Sequence, residues 1–68
     1  MYQAIYKCRL CGEEIHGEKG IYPSYHHGAI PQMNVDNNMI YFSKTVAHDC
    51  NDGSFGIADF QGFKKVGD

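Results

Sequence analysis

Apolar and polar residues alternate along much of this 68-residue chain, a pattern that predicts β-strands rather than helices. In residues 2–8, one face of an extended strand would carry Tyr2, Ala4, Tyr6 and Cys8. Residues 13–16 predict the returning strand of a hairpin, and residues 17–20, with the sequence GEKG, predict a turn or loop after it.

The second half of the chain predicts two longer strands. Residues 39–50 are rich in β-branched and aromatic residues and predict one long strand. One face of this strand would carry Ile40, Phe42, Lys44, Val46, His48 and Cys50. The sequence Asn-Asp-Gly at residues 51–53 is typical of hairpin turns, and residues 55–66 predict a last strand with a bulge at Gly56 or Gly62.

The middle of the chain is harder to interpret. Residues 21–32 contain two prolines and a glycine and predict an irregular segment, and residues 36–38 predict a turn. A short helix between Gly28 and Asn38 is an alternative that the pattern leaves open. We therefore expect one mainly β domain over residues 1–68, built from antiparallel hairpins.

The short chain favours an additional source of stability, such as a disulfide, a metal ion or a second subunit. A chain of 68 residues buries a modest fraction of its surface, so its apolar core is marginal. Three cysteines are an odd number, which argues against a closed disulfide framework. No segment resembles a signal peptide or is long enough to cross a bilayer, so we expect a cytoplasmic protein with reduced thiols.

Two short motifs supply the donor atoms of a metal site. The sequence CRLCG places Cys8 and Cys11 in a tight turn, and Gly12 permits the positive φ that such a turn needs. In a strand, His48 and Cys50 of the sequence HDC point to the same side. Three thiolates and one imidazole suit Zn²⁺, so the sequence predicts a zinc site at Cys8, Cys11, His48 and Cys50.

Other interpretations of these residues remain. The cysteines can be buried and inert, the C-x-x-C pair can be a redox pair, and iron can replace zinc. His16 is the substitute ligand if His48 does not bind, whereas His26 and His27 are expected in a loop. Asp49 or Asp52 can accept a hydrogen bond from His48, although turn formation is the expected role of both, and the adjacent Glu13 and Glu14 are expected to be solvated.

The net charge and the motifs narrow the range of functions that we expect. Four ligands would close the coordination sphere of zinc, and no catalytic motif is present, so we expect no enzyme. A net charge of -2 argues against a phosphate-tracking surface. The sequence favours a protein-interaction module or regulator that binds another protein, with homodimerisation compatible; a nucleic-acid-binding zinc ribbon is the alternative.

The motifs at both ends of the chain also resemble those of a known group of proteins. C-x-x-C-G followed by H-x-C-x-D-G-x-x-G-I-A-D-F-x-G-F resembles small uncharacterised zinc-ribbon-like proteins of Firmicutes and their phages. The resemblance implies a small metal-stabilised, zinc-ribbon-like β domain of phage or mobile-element origin, and it implies no particular activity. The matching residues are Cys8, Cys11, Gly12, His48, Cys50, Asp52, Gly53, Gly56, Ile57, Ala58, Asp59, Phe60, Gly62 and Phe63.

Overall fold

The computed structural model describes residues 1–26 and 30–67, and these residues form strands, turns and connecting segments without any helix. No helix in this part of the chain therefore has the length and apolar character needed to cross a membrane. The seven strands are β1 (Tyr2–Cys8), β2 (Glu14–Gly20), β3 (Pro23–His26), β4 (Ile30–Val35), β5 (Asn38–Tyr41), β6 (Thr45–Asp49) and β7 (Phe55–Lys65). The expectation of a small, mainly β fold made of antiparallel hairpins is confirmed.

A four-stranded antiparallel sheet, with the order β2-β1-β7-β6, joins the two ends of the chain. Strand β1 covers the residues that alternation predicted, and it pairs with both β2 and β7. The register of β1 against β7 shifts between Phe60 and Gly62, and the φ of Gly62, 147°, is one that other residues rarely adopt. The predicted bulge therefore occurs at Gly62.

A three-stranded antiparallel sheet, with the order β3-β4-β5, contains the middle of the chain. The turn between β4 and β5 has positive φ at Asp36 (50°) and Asn37 (66°). Two successive left-handed residues are typical of the type I′ turn, whose twist suits a two-residue hairpin. The turn predicted at residues 36–38 is confirmed.

The single long strand predicted for residues 39–50 is wrong, because this segment leaves one sheet and enters the other. The Phe42 N–H donates to the Pro31 carbonyl at 2.8 Å, beside the three-stranded sheet. Two residues later, the Lys44 carbonyl accepts the Phe60 N–H at 2.8 Å, beside the four-stranded sheet. The predicted alternation nevertheless persists, since Phe42, Val46 and His48 are each less exposed than their neighbours.

Three expectations for residues 17–38 are also corrected. Residues 17–20 belong to strand β2 rather than a turn, and the segment expected to be irregular contains β3 and the start of β4. The alternative helix is wrong for residues 30–38, where β4 and β5 pair with each other; residues 28 and 29 lie outside the described residues. Pairing with neighbouring strands overrides the local glycine and proline signals.

The core lies on the inner face of the four-stranded sheet. Ala4, Tyr6 and Ala58 are buried there, and partly buried aromatic rings surround them. Phe60 packs edge-on against Tyr6, with ring centroids 5.4 Å apart. Tyr25 of β3 contacts Phe60 and Phe63 of β7, at 6.4 and 5.9 Å, so aromatic side chains connect the two sheets.

Candidate metal centre

The first half of the site is a tight turn that follows β1. Cys8 is the last residue of that strand, and its N–H donates to the Glu13 carbonyl at 2.9 Å. The Gly12 N–H donates back to the Cys8 carbonyl at 3.0 Å, and Gly12 has a φ of 77°. These bonds fold the chain back on itself, which places Cys11 beside Cys8 and confirms the positive φ predicted for Gly12.

The second half of the site lies at the turn between β6 and β7. His48 is in β6, and Cys50 follows the strand directly. The Cys50 N–H donates to the Ser54 carbonyl at 2.8 Å, and the Gly53 N–H donates to the Cys50 carbonyl at 3.1 Å. Gly53 has a φ of 90°, so the hairpin turn predicted at residues 51–53 is confirmed.

Strand β7 brings the two halves together because it pairs with both β1 and β6. Cys8 lies opposite Ala58, and His48 lies opposite Gly56, two residues earlier on β7. A Cβ atom added at Gly56 would lie 2.5 Å from the Cys8 Sγ and 3.6 Å from the Cys50 Sγ. Only glycine leaves room for the two sulfur atoms at this position.

The four residues that the sequence singled out converge on one point. One donor atom from each of Cys8, Cys11, His48 and Cys50 lies within 4.8 Å of the other three, so the group can hold a metal ion. The Cys8 and Cys50 sulfur atoms are 3.8 Å apart, too far for a disulfide bond, and all three cysteines are free. Cys8 and Cys50 are buried, whereas Cys11 is exposed.

The electrostatics of the cluster reflect several thiols in a small space. The backbone N–H of Cys11 hydrogen-bonds the Cys8 sulfur and lowers the pKa of Cys8 to about 7. Burial first, and then the neighbouring thiols Cys11 and Cys8, together raise the pKa of Cys50 to about 12. One thiolate therefore forms readily and disfavours another, a conflict that a bound cation removes.

The other candidate residues lie elsewhere or have other roles. His16 contacts Glu14 at 2.9 Å outside the cluster, and the ring of His26 packs near Tyr41. His27, expected in a loop, lies outside the described residues. The Asp52 carboxylate accepts the Ser54 N–H at 2.9 Å, which is the turn-forming role expected of it.

The sequence interpretation missed one contact of the cluster. His48 Nε2 lies 3.1 Å from a carboxylate oxygen of Glu13, a residue expected to be solvated. The two residues are separated by 35 positions, so no local pattern links them. The sequence indicated only that Glu13 directly follows the turn that contains Cys8 and Cys11.

An open cavity of about 430 Å³ borders the cluster on its solvent side. Its walls include Cys11 and Cys50, together with the polar residues Glu13, Asn51 and Asp52. The cavity explains how Cys11 can be exposed while it lies close to two buried sulfur atoms. A small ion can therefore approach the cluster from solvent without any rearrangement of the sheet.

Comparison with protein-family models, with curated proteins and with solved structures finds no match to this chain. The interpretation of the site therefore rests on its own geometry.

Proposed function

We propose that the protein binds one Zn²⁺ through Cys8, Cys11, His48 and Cys50, and that this ion has a structural role. The observation that carries the proposal is the convergence of three sulfur atoms and one imidazole nitrogen within 4.8 Å. A zinc–sulfur bond is about 2.3 Å long, so two sulfur atoms at corners of a tetrahedron lie about 3.8 Å apart. The distance between the Cys8 and Cys50 sulfur atoms is 3.8 Å.

The donor set supports a closed site. Structural zinc is bound by four protein ligands, whereas catalytic zinc keeps one position for water or substrate. Thiolate and imidazole donors favour zinc over magnesium or calcium, and iron is the main competitor for a thiolate-rich site. We therefore assign the ion to folding rather than to chemistry on a substrate.

Native mass spectrometry of the untreated protein, combined with elemental analysis, tests this proposal. We expect one zinc ion per chain, and we expect the Cys11→Ser variant to bind it much more weakly. A matched control is Ser43→Ala, which changes a side chain of similar size outside the cluster. Purified protein with no metal, or with iron as the bound metal, would contradict the assignment.

We further propose that the folded domain acts as a protein-interaction module. Two large apolar side chains of β7 support this function: Phe55 is 76% exposed and Ile57 is 50% exposed. Since a Cβ at Gly56 would point toward the Cys8 sulfur, its neighbours Phe55 and Ile57 point to the opposite, outer face of the sheet. Exposed apolar side chains that share one face are typical of surfaces that bind another protein.

An affinity-capture experiment tests the interaction with a matched control. The zinc-loaded wild type, the Phe55→Ser/Ile57→Ser double variant and a Tyr41→Ser variant serve as baits. Tyr41 is 60% exposed but lies in the three-stranded sheet. We expect a stoichiometric partner with the wild type and with Tyr41→Ser, and we expect its loss with the double variant. Equal recovery by all three baits would contradict a role for this face.

Nucleic-acid binding is the alternative function, and the charge distribution supports it less. The net charge is -2, and the Arg9 guanidinium donates two hydrogen bonds of 2.6 Å to the Asp59 carboxylate. Asp59 therefore neutralises one of the six Lys and Arg side chains of the chain. A surface that binds nucleic acid is usually strongly basic. Titration with labelled DNA and RNA at low salt distinguishes the two functions, since micromolar binding would favour this alternative.

A further inference from the structure

We propose that Glu13 is a positioning residue that selects which nitrogen of His48 binds the metal. Its carboxylate accepts the Nε2–H of His48, so that Nδ1 is the nitrogen left for the ion. This inference rests on the metal site proposed above, and it adds a residue outside the four ligands.

The contact between the two side chains is short and partly sheltered. His48 Nε2 lies 3.1 Å from Glu13 Oε2, and the side chains are 15% and 47% exposed, respectively. One nitrogen of the His48 ring also lies within 4.8 Å of a sulfur atom from each of the three cysteines. The imidazole of His48 therefore lies close to both a carboxylate and the thiol cluster.

The chemistry of the two groups determines the tautomer. An ionised carboxylate only accepts hydrogen bonds, and a neutral imidazole has one N–H group and one lone pair. The nitrogen that contacts Glu13 must therefore carry the hydrogen, and the lone pair is on Nδ1. A carboxylate partner of this kind fixes the orientation of a ligand histidine and makes it more basic toward the metal.

The backbone makes Glu13 suitable for this role. Its carbonyl accepts the Cys8 N–H at 2.9 Å, so the turn that places Cys8 also places Glu13. Its side chain then reaches His48 across 35 positions of sequence. One residue thus connects the first pair of ligands with the second, and the position of His48 depends on the turn after β1.

The chain contains a natural control for this interaction. Glu14 and His16 form the same kind of contact, 2.9 Å between Oε1 and Nε2, but both side chains are more than half exposed and neither belongs to the cluster. A carboxylate–imidazole contact of this kind therefore also occurs at a histidine outside the cluster. Removing Glu14 tests for a general effect of losing one negative charge from this end of the molecule.

The experiment compares wild type, Glu13→Ala, Glu13→Gln and the control Glu14→Ala, each loaded with Zn²⁺. Zinc affinity is measured by competition with a chromophoric chelator, and the His48 tautomer is measured by long-range ¹H–¹⁵N correlation NMR. We expect Nε2–H and zinc-bound Nδ1 in the wild type. Glu13→Ala should lose about 10–100-fold in zinc affinity, which is the usual effect of removing such a partner.

The remaining variants separate positioning from a general structural effect. Glu13→Gln should recover part of the loss, since its amide oxygen still accepts the Nε2–H, and Glu14→Ala should bind zinc like the wild type. Zinc bound through Nε2 in the wild type would overturn this inference, as would an unchanged affinity in Glu13→Ala. A wild-type protein that binds no zinc would overturn the proposed function as well, so the two failures are distinguishable.

Discussion

The two sheets of this protein are held together by different means. The four-stranded sheet carries the candidate metal-binding cluster at one end, with Ala4, Tyr6 and Ala58 buried along its inner face. The three-stranded sheet buries Met33 completely, but no member of the ligand cluster found in residues 1–26 and 30–67 belongs to it. A metal ion could thus stabilise the four-stranded sheet directly, whereas the three-stranded sheet depends on hydrogen bonds between its strands and on apolar packing.

This difference implies an order of dependence between the two regions. The three strands of this sheet have only 4, 6 and 4 residues, and units shorter than about 40 residues rarely fold alone, so the three-stranded sheet needs its contacts with the larger one. These contacts include Tyr25 against Phe60 and Phe63, and Met33 close to Gly20. We therefore expect that loss of the metal affects both sheets and that damage to the smaller sheet leaves the metal site intact.

Metal removal should have the largest effect. Zinc binding contributes about 10–16 kcal/mol to folding in small zinc-binding peptides, more than the whole stability of a domain of this size. We expect a strong chelator to abolish amide dispersion in both sheets, as measured by ¹H–¹⁵N correlation NMR, and re-addition of zinc to restore it. Dispersion that persists after complete metal removal would show that packing alone holds the fold.

The Met33→Ala substitution should have the next largest effect, and it should be confined to the smaller sheet. Truncation of a fully buried Met costs about 2–5 kcal/mol because it removes packed atoms and leaves a cavity. Native-state hydrogen exchange should show lost protection in β3–β5, with zinc still bound. Met39→Ala is the matched control, because Met39 lies in the same sheet but is 47% exposed. Equal loss of protection in both sheets would contradict the order of dependence.

Gly20→Ala should weaken the junction between the sheets. An added Cβ would lie 2.5 Å from the Asn34 carbonyl oxygen, which is a backbone atom, and 2.5 Å from the Met33 Cγ. Overpacking of this kind costs about 1–3 kcal/mol, which denaturant unfolding of the zinc-loaded protein can measure. Gly17→Ala, on the same strand, is the control, since its Cβ would lie 3.3 Å from the nearest atom, in the Tyr6 side chain. A larger loss in Gly17→Ala would contradict this account of the junction.

Acid pH should also weaken zinc binding. For a change of one pH unit, we expect the loss of binding free energy to be smaller than the effects described above. Zinc needs thiolates, so protons compete with it, and its affinity must fall as the pH falls. Burial and the neighbouring thiols hold the pKa of Cys50 at about 12, so binding displaces at least one proton at neutral pH, and zinc affinity should fall at least tenfold per pH unit. The dependence should steepen below pH 7, where Cys8, with a pKa of about 7 from the Cys11 N–H, is protonated too.

Competition with a chelator at several pH values measures this dependence. The zinc affinity of the chelator itself must be calibrated at each of these pH values. Met33→Ala should show the same slope as the wild type, because the smaller sheet contributes no ligand. A flat profile would mean that the thiols do not bind the ion as thiolates.

Local sequence features were sufficient for part of this structure. The bounds of β1, the turns at residues 36–38 and 51–53, and the positive φ of Gly12 all depend on neighbouring residues, and all were predicted correctly. The four members of the cluster were also identified, because donor atoms spaced two or three positions apart meet on one side of a turn or strand. Each of these features requires only a few adjacent residues.

Contacts between distant residues could not be inferred in the same way. The division of residues 39–50 between two sheets depends on which strands lie beside Phe42 and Lys44, and the local pattern is strand-like throughout. The contact of Glu13 with His48 and the close approach of Gly56 to Cys8 exist only because β7 pairs with both β1 and β6. No neighbour in the sequence indicates either contact.

The residue types and their short spacings thus determined β1, the turns at residues 36–38 and 51–53, and the donor atoms of the candidate metal site. The three-dimensional arrangement determined which strands pair, which glycine must remain small and which carboxylate faces the ligand histidine. The physical reason is range: backbone conformation and chelating spacing are set within a few residues, whereas strand pairing and side-chain contact are set by packing across the whole chain.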